Sequence, residues 1–165
     1  MEHAIVSGIA HDTGEAKMTL FGVPDQPGIA ATVFRPLAAA GINVDMIVQN
    51  VSAQGHTDIS FTLPESDLAR ATTILEDVAT SIAAAGVVAE RGIAKVSLIG
   101  AGMKSDPGVA ADMFEALAEA GINIEIISTS SIRISCVIRA DRVTDAVRAV
   151  HDRFKLHLDE PAGVT

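Results

Sequence analysis

The sequence predicts an α+β protein made of two copies of one strand–helix–strand–strand–helix unit. GlyIleAsnVal at Gly41 returns as GlyIleAsnIle at Gly121, a shift of 121 − 41 = 80 residues. A ProGly pair returns at the same shift, at Pro27 and Pro107. Each pair follows a strand-like apolar run and begins an alanine-rich helical run, so a whole supersecondary unit is duplicated. Such a duplication favours a binding or regulatory module over an enzyme.

The first half of copy one reads as a strand followed by a helix. Lys17 to Val23 is predicted as the strand. Ile29, Val33 and Leu37 recur at a spacing of four, which places them on one helical face, and Gly41 is expected to end that helix.

The second half of copy one contains a hairpin and another helix. Asn43 to Val51 is predicted as a strand, and the clean alternation of His56 to Leu63 is typical of a half-buried strand. Ser66 or Asp67 is expected to cap the next helix. A short strand, Val87 to Glu90, closes the copy.

Copy two repeats this order of elements. Ala94 to Gly100 is predicted as a strand, and Asp106 is expected to cap a helix that has Pro107 at its first position. Asn123 to Ser128 and the alternating run Ile132 to Ile138 then form a hairpin. That hairpin is shorter than in copy one, because the third strand matches at a shift of 134 − 59 = 75.

The last helix of copy two begins, on this reading, at a cap formed by Asp141. A direct strand-to-strand connection makes each hairpin antiparallel. Helices on one face of such a sheet give a ferredoxin-like βαββαβ layer.

One apolar strand has no place in copy one. Ala4 to Ala10 precedes that copy, whereas copy two lacks a convincing last strand because Lys155 to Glu160 is short and charged. We therefore expect the N-terminal strand to complete copy two and interlock the two domains. The expected domains are 15–92, and 93–160 together with the strand 3–11.

Composition excludes several classes of partner. A net charge of −9 disfavours nucleic acids, which require clustered Lys and Arg, and the chain has no Trp or Tyr on which bases could stack. No apolar run is long enough to cross a bilayer, and the first residues lack the basic region of a signal peptide. With a single cysteine, these features predict a cytoplasmic location.

No catalytic or metal-binding constellation is evident. Gly100 and Gly102 lie between a strand and a helix as in a dinucleotide fingerprint, but Ser105 replaces the third glycine and a hairpin follows, so a tight turn is favoured. The five histidines have no metal-ligand spacing, and Cys136 shares a face with isoleucines, as a core residue would. We expect no cofactor and no metal.

The loop before the first helix is the one candidate binding site. Asp25 precedes a helix whose first N–H groups lack intrahelical partners and can bind a carboxylate. An acid beside such a helix end can hold the ammonium and carboxylate groups of a free amino acid together. The alternative is that Asp25 only caps the helix, and the residues alone leave both open.

Longer strings of residues identify a known family. The strings are GluAlaLysMetThrLeu (Glu15 to Leu20), AspGlnProGly (Asp25 to Gly28), AsnValAspMetIleValGlnAsnValSer (Asn43 to Ser52), ThrAspIleSerPheThr (Thr57 to Thr62), LysValSerLeuIleGlyAlaGlyMetLysSer (Lys95 to Ser105), GlyIleAsnIleGluIleIleSerThrSer (Gly121 to Ser130) and IleArgIleSerCysValIle (Ile132 to Ile138). Together they resemble the paired ACT domains at the C-terminal end of aspartate kinase, and the similarity covers nearly the whole chain.

The resemblance is strongest to the separate regulatory β subunit of α2β2 bacterial enzymes. It implies a chain without kinase activity that pairs with a catalytic subunit and self-associates through its ACT domains. It also implies feedback inhibition of aspartate-family amino-acid biosynthesis. The implied effector is threonine, with lysine as a second candidate, bound between the first ACT domain of one chain and the second of its partner.

The resemblance also assigns an effector site. Asp25 and backbone groups after Gly28 would receive the main-chain charges of the amino acid, and Gln49 and Asn123 would hydrogen-bond it. The matching positions are Asp25, Gly28, Ile29, Ala30, Gln49 and Asn50 in copy one, with Asn123 and Ile124 in copy two.

The sequence departs from this family at Ser131, where a glutamate is usual, which bears on lysine more than on threonine. Pro36, inside the first predicted helix, has no functional explanation. The rival function is a free-standing amino-acid-sensing ACT protein that regulates another enzyme or a transcription factor.

Overall fold

The computed structural model describes residues 5–51, 54–103 and 106–155. The chain divides into two units. Gly14–Gly92 form the first unit, and Met1–Thr13 with Ile93–Thr165 form the second unit. Residues 3 and 4 of the predicted N-terminal strand, and 156–160 of the predicted second domain, lie outside the described residues.

Two strands are longer than the periodicity predicts. Ala4–Ala10 and Lys17–Val23 were expected to be separate, but both belong to β1 (Ile5–Pro24), apart from Ala4, which is not described. Likewise the two strands predicted on either side of residue 92 form one strand, β4 (Gly86–Ala101). The polar residues between the apolar runs suggested that each strand is interrupted there. Hydrogen bonding to neighbouring strands instead keeps the backbone extended through these polar residues.

The first unit has the strand order β2-β3-β1-β4. β3 pairs antiparallel with both β1 and β2, with Leu20 and Gln49 both opposite Ile59. Its elements after β1 are α1 (Ile29–Ala39), β2 (Ile47–Gln49), β3 (His56–Pro64), a 3₁₀ turn (Glu65–Asp67) and α2 (Leu68–Ser81).

Both helices of the first unit pack on one face of its sheet. The alternating residues Met18 and Leu20 of β1, with Ile59 and Phe61 of β3, are almost fully buried. They share one cluster with residues of both helices: Ile29, Val33, Leu37, Leu68, Ala71 and Leu75. This arrangement confirms the predicted ferredoxin-like layer.

The second unit repeats the plan with the order β1-β4-β6-β5. Ser7 of β1 donates a hydrogen bond from its hydroxyl to the Ile99 carbonyl of β4, at 3.1 Å. The described part of the segment before copy one therefore lies beside β4 and is grouped with the second unit. The remaining elements are α3 (Pro107–Glu119), β5 (Ile126–Thr129), β6 (Arg133–Arg139), a 3₁₀ turn (Ala140–Arg142) and α4 (Val143–Phe154).

The core of the second unit again joins one sheet face to both helices. Ile134, Cys136 and Ile138 of β6 are buried with Val96 and Leu98 of β4. The helices contribute Val109, Met113, Leu117, Ala146 and Val150 to the same cluster.

Two predicted strands begin later in the chain than expected. β2 begins at Ile47, not Asn43, because Thr62 accepts hydrogen bonds from the Asp45 amide through its carbonyl and from the Met46 amide through its hydroxyl, both at 3.0 Å. β5 similarly begins at Ile126, not Asn123.

The helix caps agree with the sequence only in part. Asp106 caps α3 as predicted, accepting from the Gly108 amide at 3.1 Å. In contrast, no side chain caps α2 or α4, so the caps predicted at Ser66 or Asp67 and at Asp141 are wrong. A 3₁₀ turn leads into each of these helices, and the predicted residues lie inside those turns. Pro36 lies within α1, where its carbonyl still accepts from the Ala40 amide at 3.2 Å.

Candidate functional site

The loop between β1 and α1 is fastened to the hairpin of the first unit. The Asp25 amide donates to the Gly55 carbonyl at 2.9 Å. Gly28 then precedes α1 with a φ of 91°, a left-handed conformation that favours glycine. Only a residue without Cβ adopts this geometry at little cost, which explains the glycine of the ProGly pair.

Asp25 does not cap α1. The N-cap residue is Gly28, and no side chain caps the helix. The Thr32 amide donates to the Gly28 carbonyl at 3.1 Å, and the Ile29 amide to the Gln26 carbonyl at 3.3 Å. Because no side-chain hydrogen bond caps the helix, the interpretation of Asp25 as only a cap is excluded. The Asp25 side chain is exposed, and its carboxylate faces solvent beside the helix start.

Gln49 and Asn50 lie at the same end of the first unit's sheet as this loop. The Asn50 amide donates to the Asp58 carbonyl at 3.2 Å, and the Thr57 hydroxyl donates to the Asn50 carbonyl. Since Pro24 is opposite His56, both the end of β2 and the end of β1 flank the beginning of β3. The side chains of Gln49 and Asn50 are exposed and available to a ligand.

Ile29 and Ala30 contribute differently to this region. Ile29 is 7% exposed and belongs to the core, so it can contribute only its backbone to a ligand. Ala30 is exposed in the first turn of α1. The structure therefore brings the six predicted copy-one residues to one end of the first unit.

Asn123 and Ile124 belong to the second unit. They lie between the end of α3 and the start of β5, with Asn123 exposed and Ile124 half-buried against the core. The next residue, Glu125, donates from its amide to the Val137 carbonyl at 2.8 Å, which fixes this segment against β6. Within the second unit, Asn123 is thus a surface side chain on a held backbone.

Sequence reasoning missed a cavity in the second unit. Its volume is about 520 Å³. It is lined by Met103, Asp106, Pro107, Ala110, Thr129, Ser130, Ser131 and Ile134. The repeat could have indicated this cavity, because a shift of 80 residues aligns Pro27 with Pro107, and Gln49 and Asn50 with Thr129 and Ser130. The residues near the candidate site of copy one therefore have counterparts that line the cavity in copy two.

Hydroxyl groups and the Asp106 carboxylate give this cavity its polar character. Ser130 is held in a turn, since its hydroxyl accepts from the Arg133 amide at 3.1 Å and the Ile132 amide at 3.3 Å. Thr129 and Ser131 are exposed at its wall. The lining can therefore hydrogen-bond a small polar ligand while Met103 and Ile134 contact its apolar part.

The single cysteine is unsuited to nucleophilic catalysis. Cys136 is fully buried in the second unit's core, and this burial raises the pKa of its thiol to about 12. A thiol with that pKa remains protonated at neutral pH.

The described residues show neither a metal cluster nor a membrane span. No group of three or more metal-ligating side chains is found among them. Within the same part of the chain, none of the helices is both long and apolar enough to cross a bilayer.

A family model for the ACT domain matches the chain twice, at residues 19–78 and 96–154. Among curated relatives, the aspartokinase of Corynebacterium efficiens is 49% identical over 166 residues, which cover 99% of this chain and 39% of that protein. The aspartokinase of Mycolicibacterium smegmatis is 51% identical over the same shares. The chain thus spans about two fifths of the curated relatives it matches.

Two solved structures match over nearly the full length of their own chains. The ligand-free regulatory subunit of aspartate kinase from Thermus thermophilus is 45% identical with a TM-score of 0.85, covering 90% of this chain and 98% of that one. A structure of aspartokinase alpha and beta subunits gives 44% identity and a TM-score of 0.86, covering 92% of this chain and 100% of the matched one.

Proposed function

The chain belongs to the ACT-domain family, as the regulatory ACT region of aspartate kinase, and we propose that it binds amino-acid effectors and inhibits an aspartate kinase catalytic subunit allosterically. One observation carries this proposal. The chain matches almost all of a separate regulatory subunit but only 39% of whole aspartokinases. The kinase chemistry, ATP-dependent phosphorylation of aspartate, is accordingly assigned to a catalytic part with which this chain associates.

Threonine is the proposed effector at the first unit. The exposed Asp25 carboxylate lies beside the start of α1, where unpaired helix N–H groups favour an anion. The carboxylate receives the ammonium group of threonine, and backbone groups after Gly28 receive its carboxylate. Gln49 and Asn50, at the same end of the sheet, supply neutral donors and acceptors.

The second half of the site is proposed to come from a partner chain. Asn123 and Ile124 have a fixed backbone and, at Asn123, an exposed amide side chain that can reach outward. In the proposed assembly, the first unit of one chain faces the second unit of its partner, and each pair of chains forms such sites. The complex with the catalytic subunit is proposed as α2β2.

Lysine is the second candidate effector, and the 520 Å³ cavity of the second unit is its proposed location. This volume lies within the range typical of small-molecule sites. The cavity occupies the place in copy two that the Asp25 loop occupies in copy one. Ser131, which replaces the family's usual glutamate there, lowers the negative charge available to a lysine ammonium.

Linkage explains how such binding inhibits at a distance. A ligand seated between two chains stabilises the docked arrangement over the separated one. If only the docked arrangement restrains the kinase, the coupling between effector and activity is on the order of 1–3 kcal/mol.

The test combines calorimetry with an activity assay. The chain is titrated with threonine, with lysine and with both, and is then added to an aspartate kinase catalytic subunit with and without each amino acid. Saturable binding together with effector-dependent inhibition is expected. Binding without any effect on the kinase, or co-purification with a different enzyme or a transcription factor, would instead establish the rival sensing function.

A further inference from the structure

A second cavity of the second unit lies between α4 and the N-terminal part of β1. Its volume is about 340 Å³. It is lined by His11, Val143, Thr144, Val147, Arg148 and His151. None of these residues belongs to the proposed effector sites, so a ligand of this cavity would occupy a separate site.

The charges around this cavity are segregated. Its lining has three basic side chains and no acidic one, although the chain has 21 acidic residues against 12 Lys and Arg. The acids of α4 face elsewhere: Asp145 pairs with Arg142 at 3.4 Å, and Asp152 lines a different groove with Arg153 and Glu119. Asp12 follows His11 on β1, where successive side chains point to opposite faces.

The Arg148 guanidinium is accessible to a ligand in this cavity. It is exposed, and among the residues that the structure describes it forms no ion pair. Thr144, one helical turn earlier, places a hydroxyl at the same wall. His151 is half-buried one turn later, and His11 faces them from β1.

The floor of the cavity is apolar. Val143 and Val147 are half-buried and pack against the core of the second unit. A ligand that fits both surfaces has a negatively charged end for the basic rim and a short hydrocarbon part for the two valines.

We propose that this cavity binds a small organic oxyanion, a carboxylate or a phosphate monoester with a short hydrocarbon part. Arginine presents a planar fork of donors that matches both kinds of oxyanion. The His11 imidazole and the Thr144 hydroxyl add further donors. The volume is at the lower end of the range for small-molecule sites, which favours a compact ligand.

The test is an NMR titration of the full chain with three probes: sodium butyrate, n-butyl phosphate and inorganic phosphate. The imidazole C–H signals of His11 and His151 are followed, with His56 of the first unit as an internal control. We expect saturable shifts at His11 and His151 with butyrate, butyl phosphate or both, and none at His56. Whichever butyl probe binds more tightly identifies the carboxylate or the phosphate ester as the preferred class.

Two charge-matched variants establish specificity. Arg148→Gln should weaken binding about tenfold or more, the effect of losing one charged hydrogen-bonding partner. Arg35→Gln removes the same charge from an exposed position of α1 in the first unit and should leave the affinity unchanged.

Several outcomes would overturn the proposal. One is that the imidazole signals of His11 and His151 do not shift with any probe at millimolar concentration. Another is that wild type and Arg148→Gln bind the probes with equal affinity, or that Arg148→Gln and Arg35→Gln lose affinity equally. Inorganic phosphate binding as tightly as butyl phosphate would contradict the contact assigned to Val143 and Val147. Circular dichroism of each variant shows that lost binding is not lost folding.

Discussion

Arg142 donates from its guanidinium to the carbonyl of Ala120 at 2.8 Å, and also to that of Gly121 at 3.2 Å, at the C-terminal end of α3. The first unit contains the matching contact, because Arg70 donates to the Ala40 carbonyl at 3.0 Å. The last carbonyls of a helix lack intrahelical partners and attract cations. In each repeat, an arginine therefore donates to the C-terminal end of the first helix, from the first turn of α2 in one unit and from the 3₁₀ turn before α4 in the other.

Replacing Arg142 with methionine should destabilise the chain by about 1–2 kcal/mol, because two carbonyl acceptors lose a charged donor while the aliphatic stem is kept. The measurement is urea denaturation followed by circular dichroism. Arg35→Met, at an exposed position of α1, is the matched control and should change stability by less than about 0.5 kcal/mol. Equal stability of the two variants would show that the contact contributes nothing.

Replacing Asp25 with alanine should abolish most threonine binding and leave the fold intact. The exposed carboxylate is the only side-chain charge proposed at that site, and it does not cap α1. In wild type, threonine at 100 times its dissociation constant should add about 2.7 kcal/mol of stability per site, a visible rise in melting temperature. Calorimetric titration of wild type and Asp25→Ala measures the affinities.

Asp77→Ala is the control for that experiment, since it removes an exposed carboxylate from the middle of α2 in the same unit. It should bind threonine as wild type does. Equal affinity in Asp25→Ala and wild type would mean that the site is misplaced.

Self-association should depend on two apolar side chains related by the repeat. Ile47 on β2 is 51% exposed and Ile127 on β5 is 46% exposed, and they are 127 − 47 = 80 residues apart. Each lies on the outermost strand in its unit's order, where unpaired backbone groups can meet another chain. Sedimentation of the isolated chain at micromolar concentration, with threonine, should give a dimer.

Ile127→Lys should shift this equilibrium to the monomer, because it places a charge in the proposed interface. Thr73→Lys adds the same charge at an exposed position of α2 and should leave the dimer intact. A wild-type monomer in the presence of threonine would refute the paired-chain arrangement.

The buried thiol predicts an alkaline loss of stability. The pKa of Cys136 is about 12 in the folded chain and about 8.5 when unfolded, so above roughly pH 9 only the unfolded state releases this proton. Its contribution to stability is present below that pH and falls as the pH rises toward 12. Denaturation curves between pH 8 and 10.5 should show a steeper decline in wild type than in Cys136→Ala.

The same burial predicts a slow reaction with thiol reagents. At pH 8 the native chain should react with a disulfide reagent far more slowly than the unfolded chain in urea, since the thiolate is the reactive species. Rapid labelling of the native chain would show that Cys136 is accessible.

The sequence by itself determined the duplicated unit and the faces of its helices. The 80-residue shift and the spacing of Ile29, Val33 and Leu37 depend on residues close together in the chain, where helical and strand periods are visible. The alternation in β3 and β6 likewise identified the buried faces. The longer strings carried the family resemblance that the comparisons bear out.

The tertiary structure alone decided how far each strand extends and which side chains remain available. β1 runs through Asp12 and Gly14, and β2 begins only at Ile47, because strand length depends on hydrogen bonds to residues distant in sequence. Asp25 could have capped α1 until the left-handed Gly28 was seen to occupy that position. The cavities beside Ser131 and Arg148 likewise arise from packing, since each joins residues that are distant in sequence.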